Sequence, residues 1–211
     1  MPEPGWLRLH LVTDSALCGT RGLIAVVDAA VRGGATCVQL REKTLATRDF
    51  VDRARALKTL LGPLRVPLII NDRLDVALAC DADGVHVGQT DMPPGLVRHW
   101  MPHALIGLSI DTPAQLDAAE REPVDYYGIS PVFDTATKTD TAPALGLAGL
   151  RTIRALTRRP LVAIGGIDAG NAGEVLAAGA DGVAVISAIC AAPDPAAAAH
   201  RLRQAMQPTR T

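Results

Sequence analysis

Short runs of apolar, largely β-branched residues recur along this chain at 7–12, 37–40, 67–70, 84–87, 105–108, 126–129, 161–164 and 183–186, with helical patterns between them. The runs lack the alternation of a half-exposed strand, so each is expected to be covered on both faces, as parallel strands are. Amphipathic stretches at 22–32, 48–61 and 147–157 supply such cover. About eight strand-helix units favour closure into a barrel over an open sheet. The expected fold class is therefore α/β, a single (β/α)8 TIM barrel with parallel strands. The weakest unit is the third, where 74–80 offers only a short helix.

A chain of 211 residues suits one such domain spanning 1–211. At this size roughly 70% or more of the unfolded surface is buried, and no staple is needed. Hydrophobic residues make up 48% of the chain and aromatic residues 3%, so the core is expected to consist of Ala, Val, Leu and Ile, as in barrel layers of branched side chains. Lys plus Arg number 21 against 22 Asp plus Glu. This balance leaves no basic footprint for nucleic acid and no polybasic run for a membrane surface, so any phosphate binding must be local. No apolar segment is long enough to span a bilayer, and the opening residues lack a basic region followed by a long apolar run. The expected location is cytoplasmic. Cys18, Cys37, Cys80 and Cys190 are scattered without metal-ligand spacing and read as reduced small hydrophobes.

Within residues 161–189 the pattern reads as a strand, a glycine turn at Gly165 and Gly166, a short helix over 171–178, and a second strand over 183–186 that ends at Ser187. The two glycines lack Cβ atoms at a strand end, where backbone N–H groups can face a ligand. After Ser187 the chain can turn into a short helix with its free amides outward. Two adjacent amide-rich loops make a cup for a dianion, and the loops after the last two strands of a barrel commonly form one. Tight turns alone would also account for the glycine pair.

Catalytic side chains of a barrel sit where strands end. After the second run, alternation puts Gln39, Arg41 and Lys43 on one side of the extended chain, where Arg can grip a polyphosphate in bidentate fashion and Lys as a point charge. Asp72 and Asp91 end neighbouring strands, so their carboxylates can converge on one hard cation such as Mg²⁺. Each also reads as a helix cap. Ser109 ends the fifth strand, and Asp111 reads as a cap. The polar loop at 130–140 is a candidate lid, in which Lys138 could neutralise a leaving phosphate, and it also reads simply as a solvated, mobile loop. His10 and His86 lie within strands and read as hydrogen-bonded core histidines. His99, His103 and His200 carry no metal spacing.

Taken together, QLREK at 39–43, NDR at 71–73, DGVHVGQTD at 83–91, Ser109, SPVFDTATKTD at 130–140, AIGGI at 163–167 and ADGVAVISAI at 180–189 give a chain that resembles the thiamine phosphate synthase family. The resemblance implies a (β/α)8 enzyme that joins 4-amino-2-methyl-5-hydroxymethylpyrimidine diphosphate to 4-methyl-5-(2-phosphooxyethyl)thiazole, releasing diphosphate. It implies that Gln39, Leu40, Arg41, Glu42, Lys43 and Asn71 hold the pyrimidine diphosphate and that Asp72 and Asp91 hold Mg²⁺. Ser109 and Lys138 would lie on the diphosphate side, and Thr135, Ala136, Thr137, Gly166, Ile186 and Ser187 on the thiazole phosphate. Arg41, Lys43, Lys138 and Ser109 would then be the catalytic groups, stabilising charge on the departing diphosphate while the thiazole nitrogen attacks. No acid-base pair is required. The partners implied are the two small-molecule substrates, with no nucleic acid and no membrane, and a homo-oligomer is compatible with the chain. Competing readings are a thiazole tautomerase of the same superfamily, a non-catalytic thiamine-phosphate-binding barrel, and a sugar-phosphate isomerase or aldolase. The last would need a Schiff-base lysine or a carboxylate pair inside the barrel.

Overall fold

Strands β1 (Leu9–Val12), β2 (Cys37–Leu40), β3 (Leu68–Asn71), β4 (Gly84–Val87), β5 (Leu105–Ile110), β6 (Tyr126–Ile129), β7 (Leu161–Ile164) and β8 (Gly182–Val185) pair in parallel with their sequence neighbours, and β8 returns to β1 to close the barrel. The structure is a computed structural model and describes residues 4–135 and 143–207. Helices α1 (Ser15–Cys18), α2 (Leu23–Arg32), α3 (Thr47–Leu61), α4 (Leu74–Cys80), α5 (Pro94–Trp100), α6 (Pro113–Ala119), α7 (Gly146–Leu156), α8 (Ala172–Ala177), α9 (Ser187–Cys190) and α10 (Pro195–Ala205) form the outer ring. Among the described residues, no helix is long and apolar enough to cross a membrane.

Helix α2 buries Leu23, Val26, Val27 and Ala30, and α3 buries Phe50, Ala54, Leu57 and Leu61. Spacings of three and four residues put each set on one stripe against the barrel. Asp14 caps α1 by accepting from the Leu17 N–H at 3.0 Å, and Asp194 caps α10 through the Ala197 N–H at 2.9 Å. The large core lies in this shell, where outward residues of the strands such as Leu9, Leu11, Val38, Leu40, Ile70 and Val85 meet the helices. All four cysteines are buried and free.

The inside of the barrel differs from the expected layers of branched aliphatics. Its inward positions include His10, Gln39, His86 and Tyr126, and the small apolar cluster there is Leu7, Val12, Tyr126, Val162 and Ala184. Trp6, from the 3-10 helix Pro4–Leu7 before β1, packs its ring against both His10 (5.5 Å between centroids) and Tyr126 (5.6 Å). Glycines make this possible. A methyl group at Gly107 would lie 2.3 Å from Nδ1 of His86 and 2.3 Å from Cζ of Tyr126, and one at Gly128 would lie 2.8 Å from Cε1 of His86. Gly107→Ala is therefore expected to destabilise the protein by about 1–3 kcal/mol. Calorimetric melting that leaves the midpoint unmoved would show that the two rings yield freely.

At the N-terminal end of the strands a repeated device sets the register. The N–H groups of Leu9, Leu68, Ile106 and Leu161, on the odd-numbered strands, donate to side chains of Thr36, Asp83, Asp125 and Asp181, each of which directly precedes an even-numbered strand. Lys58, Arg98 and Arg154 pair with the three aspartates. This end is committed to stability, which leaves the C-terminal end of the strands for chemistry.

Three element boundaries move from their expected places in ways that affect the site. Strand β5 runs on to Ile110, so Ser109 is an inward residue within the strand. Strand β8 ends at Val185, and Ser187 opens α9. The cap of α6 is Thr112, in a capping box with Gln115, and Asp111 only donates its backbone N–H to Gln115.

Candidate active site

A cavity of about 700 Å³ opens at the C-terminal end of the barrel and runs down among the strands. Position along parallel strands sorts its lining into levels. Deepest are His10, Tyr126 and Val162. Gln39, His86, Ser109 and Ala184 come next, then Asn71, Ile164 and Ile186. At the rim stand Arg41, Lys43, Asp72, Asp91, Thr135, Gly166 and Ser187.

The backbone of Arg41 is fixed from below, since its N–H donates to Thr13 Oγ1 at 3.0 Å, and the buried Thr13 donates its own N–H to the Gln39 carbonyl at 2.9 Å. Among the described residues the Arg41 guanidinium has no hydrogen-bond or ion-pair partner, so it is available to a ligand. Lys43 reaches Asp72 at 2.7 Å. The side chains of Leu40 and Glu42 point away from the cavity, which leaves their backbones to meet a ligand. Strand alternation turns Leu40 into the shell between barrel and helices, and Glu42 pairs with Arg53 and accepts from Ser15. Alternation thus divides the 39–43 stretch as expected, with 39, 41 and 43 on the cavity side.

Asp72 does not cap α4, whose N-cap is Arg73 without a side-chain bond. Its backbone is left-handed (φ 63°), a conformation that residues other than Gly rarely adopt, and its N–H donates to the His86 carbonyl at 2.8 Å. Asp91 does not cap α5 either. Its Oδ2 accepts from the Gly88 N–H at 2.8 Å, which folds the β4 loop back over the rim. Asp72 and Asp91 line the same side of the cavity mouth. Burial, and then the negative charge of Asp72, push the Asp91 carboxyl above the ordinary carboxylate range, against the opposing pull of Gly88 and Lys43. Two carboxylates at one side of the mouth are a donor set that fits a hard divalent ion completed by ligand oxygens. Among the described residues no cluster of three or more His, Cys, Asp or Glu side chains offers an alternative metal position.

Across the mouth, Gly165 (φ 107°) and Gly166 (φ 62°) take backbone conformations closed to most side chains, and a methyl group on Gly166 would lie 2.6 Å from the Asp134 carbonyl. Asn171 holds this turn by donating to the Gly166 carbonyl at 2.9 Å. Among the described residues the N–H groups of Gly166, Ser187 and Ala188 donate to no protein acceptor. Ala136, Thr137 and Lys138 lie outside the described residues.

His86 meets the core expectation: Nδ1 is 3.0 Å from the Tyr126 hydroxyl and Nε2 is 2.9 Å from Ser109 Oγ. The Ser109 carbonyl in turn accepts from Gln89 at 2.6 Å. His10 does not meet it, because its Nε2 is buried with no partner among the described residues. Burial, reinforced by His86, pulls its pKa down to about 3. In the unfolded chain this histidine takes up a proton below about pH 6.5, whereas the folded protein resists it until near pH 3, so stability falls as pH drops through 6.5. From His10 alone, unfolding in urea is expected to need about 2 kcal/mol less at pH 5 than at pH 7. Removing the imidazole in His10→Phe should flatten that difference, and an unchanged slope would show that His10 does not cause it.

The deep histidine and tyrosine gave no signal of their own, because a polar residue in an apolar run reads only as a core residue. The signal available was the set of inward glycines at 84, 107, 128 and 182, which leave the barrel interior short of volume for anything but large neighbours.

The thiamine monophosphate synthase profile matches residues 9–189 of the chain. A thiamine-phosphate synthase of Albidiferax ferrireducens is 60% identical over 199 residues, covering 94% of this chain and 91% of that one. Another, of Xanthobacter autotrophicus, is 54% identical over 207 residues and covers 98% of both chains. The solved structure of a thiamine phosphate pyrophosphorylase from Pyrococcus furiosus superposes with a TM-score of 0.89 at 38% identity, covering 96% of each chain. With fold and sequence alike matched over nearly the full length, the chain belongs to the thiamine monophosphate synthase family.

Proposed function

We propose that this protein is a thiamine-phosphate synthase, a transferase of thiamine biosynthesis that moves a 4-amino-2-methyl-5-pyrimidinylmethyl group from its diphosphate to the nitrogen of 4-methyl-5-(2-phosphooxyethyl)thiazole. The C–O bond to diphosphate breaks, the C–N bond to the thiazole forms, and diphosphate leaves. The observation that carries this reading is the division of the mouth. Arg41, Lys43, Asp72 and Asp91 follow β2, β3 and β4, whereas the free amides of Gly166 and Ser187 follow β7 and β8 on the other side of the barrel.

In this reading Arg41 and Lys43 bind the diphosphate oxygens and stabilise the charge that builds on them as the bond breaks. Gln39 and Asn71 line the space below for the pyrimidine. Mg²⁺, when bound by Asp72 and Asp91, would supply further neutralisation of the leaving diphosphate. The Gly166 and Ser187 amides fix the thiazole phosphate beside Ile186 and so hold the ring nitrogen in line for attack. The same reading gives Thr135, Ala136 and Thr137 to the thiazole phosphate, and Ser109 and Lys138 to the diphosphate. The transfer asks for no general base, which agrees with a His86 whose two nitrogens both have protein neighbours. Four free cysteines accord with the reducing cytoplasm, the location we infer.

Purified protein incubated with both substrates and Mg²⁺ is expected to release thiamine phosphate and diphosphate in equal amounts. Diphosphate release without thiamine phosphate, or neither product, would overturn the proposal.

A further inference from the structure

His10 is a polar side chain of the cavity that the mechanism leaves unused and that has no hydrogen-bond partner among the described residues. Its ring lines the deep end of the cavity, it is 1% exposed, and Trp6 and Tyr126 flank it at 5.5 and 5.7 Å between ring centroids. Among the described residues neither ring nitrogen makes a hydrogen bond, and Nε2 is fully buried. A neutral imidazole carries one donor and one acceptor, and leaving such groups unmade in a protein interior costs enough that they are rarely left so. The adjacent polar groups are already engaged, since His86 lies between Tyr126 and Ser109.

Resting on the function proposed above, we infer that His10 is a substrate contact that selects the aminopyrimidine ring by hydrogen-bonding it at the deep end of the cavity. The charged groups all stand at the rim, which keeps the phosphoryl groups of both substrates there and sends their rings downward. The aminopyrimidine offers ring nitrogens that accept and an exocyclic amine that donates, so either tautomer of His10 finds a partner. The thiazole offers only the nitrogen consumed by the reaction, together with a sulfur and a methyl group. Gln39, on the neighbouring strand, lines the same space and would share the contact.

The test is calorimetric titration of wild type and His10→Phe, which keeps a ring of similar size, with the pyrimidine diphosphate, the thiazole phosphate and inorganic diphosphate, each added alone with Mg²⁺. The Kd for the pyrimidine diphosphate is expected to rise about 10-fold or more, with the other two unchanged. His10→Gln, which restores a donor and an acceptor, should recover part of the loss. A pyrimidine diphosphate Kd within about twofold of wild type would overturn the inference, as would equal weakening of all three ligands. In unaltered protein labelled with ¹⁵N-histidine, the His10 ring nitrogens should shift on adding the pyrimidine diphosphate and not on adding inorganic diphosphate. The absence of that difference also overturns it. Wild-type protein that binds the pyrimidine diphosphate but forms no thiamine phosphate would remove the proposed function, while the Kd ratio would still decide the role of His10.

Discussion

Replacing Arg41 by Ala is expected to lower turnover at least 100-fold while leaving stability within the ~0.5 kcal/mol scatter of surface substitutions. The two halves of this expectation have separate causes. Among the described residues the guanidinium has no protein partner, so its removal breaks no contact of the fold, and the loop is held by the backbone bond to Thr13. The lost interaction is one that strengthens as negative charge gathers on the departing diphosphate, and removing a single such donor typically costs a factor of about 10²–10³ in kcat. Arg41→Lys should restore only part of the rate, since a point charge replaces a two-pronged grip. Steady-state kinetics paired with a thermal melt decides the matter. A large loss of stability would mean that Arg41 is structural, and near-normal kcat would remove it from the chemistry.

Asp91→Asn should have a comparable effect on rate through a different route. The amide oxygen of Asn can still accept from the Gly88 N–H, which preserves the turn, while the charge that faces Asp72 disappears. Because the two carboxylates repel, the variant is expected to fold at least as stably as wild type. With one anionic oxygen ligand gone, the concentration of Mg²⁺ needed for half-maximal turnover should rise and kcat should fall by about 100-fold or more. A Mg²⁺ titration of both proteins reads this directly, and identical titration curves would exclude Asp91 as a ligand.

Much of the barrel was legible because period-2 and period-3.6 patterns report which faces are buried. The β2, β4, β6 and β7 spans fall where the apolar runs put them, and alternation sorted Gln39, Arg41 and Lys43 from Leu40 and Glu42. What escaped depends on contacts between distant segments. Aspartates before helices read as caps, yet Asp72 is turned away by a left-handed backbone tied to His86, and Asp91 by a bond to Gly88. Composition pointed to an aliphatic interior, whereas two of the chain's few aromatic residues, Trp6 and Tyr126, pack against His10 within the barrel, where glycines on facing strands leave room. The Thr36, Asp83, Asp125 and Asp181 series was likewise invisible until strand pairing placed each residue beside an N–H at the start of its neighbour.

We propose that Asp72 and Asp91 share one divalent ion at the rim where Arg41 grips a diphosphate. Crystals grown with Mn²⁺ and inorganic diphosphate, measured at the manganese absorption edge, test it most directly. An anomalous peak contacted by both carboxylates and by the diphosphate is expected, with Arg41 on the diphosphate. A diphosphate bound at the rim with no ion between those two carboxylates, or an ion held elsewhere on the chain, would contradict it.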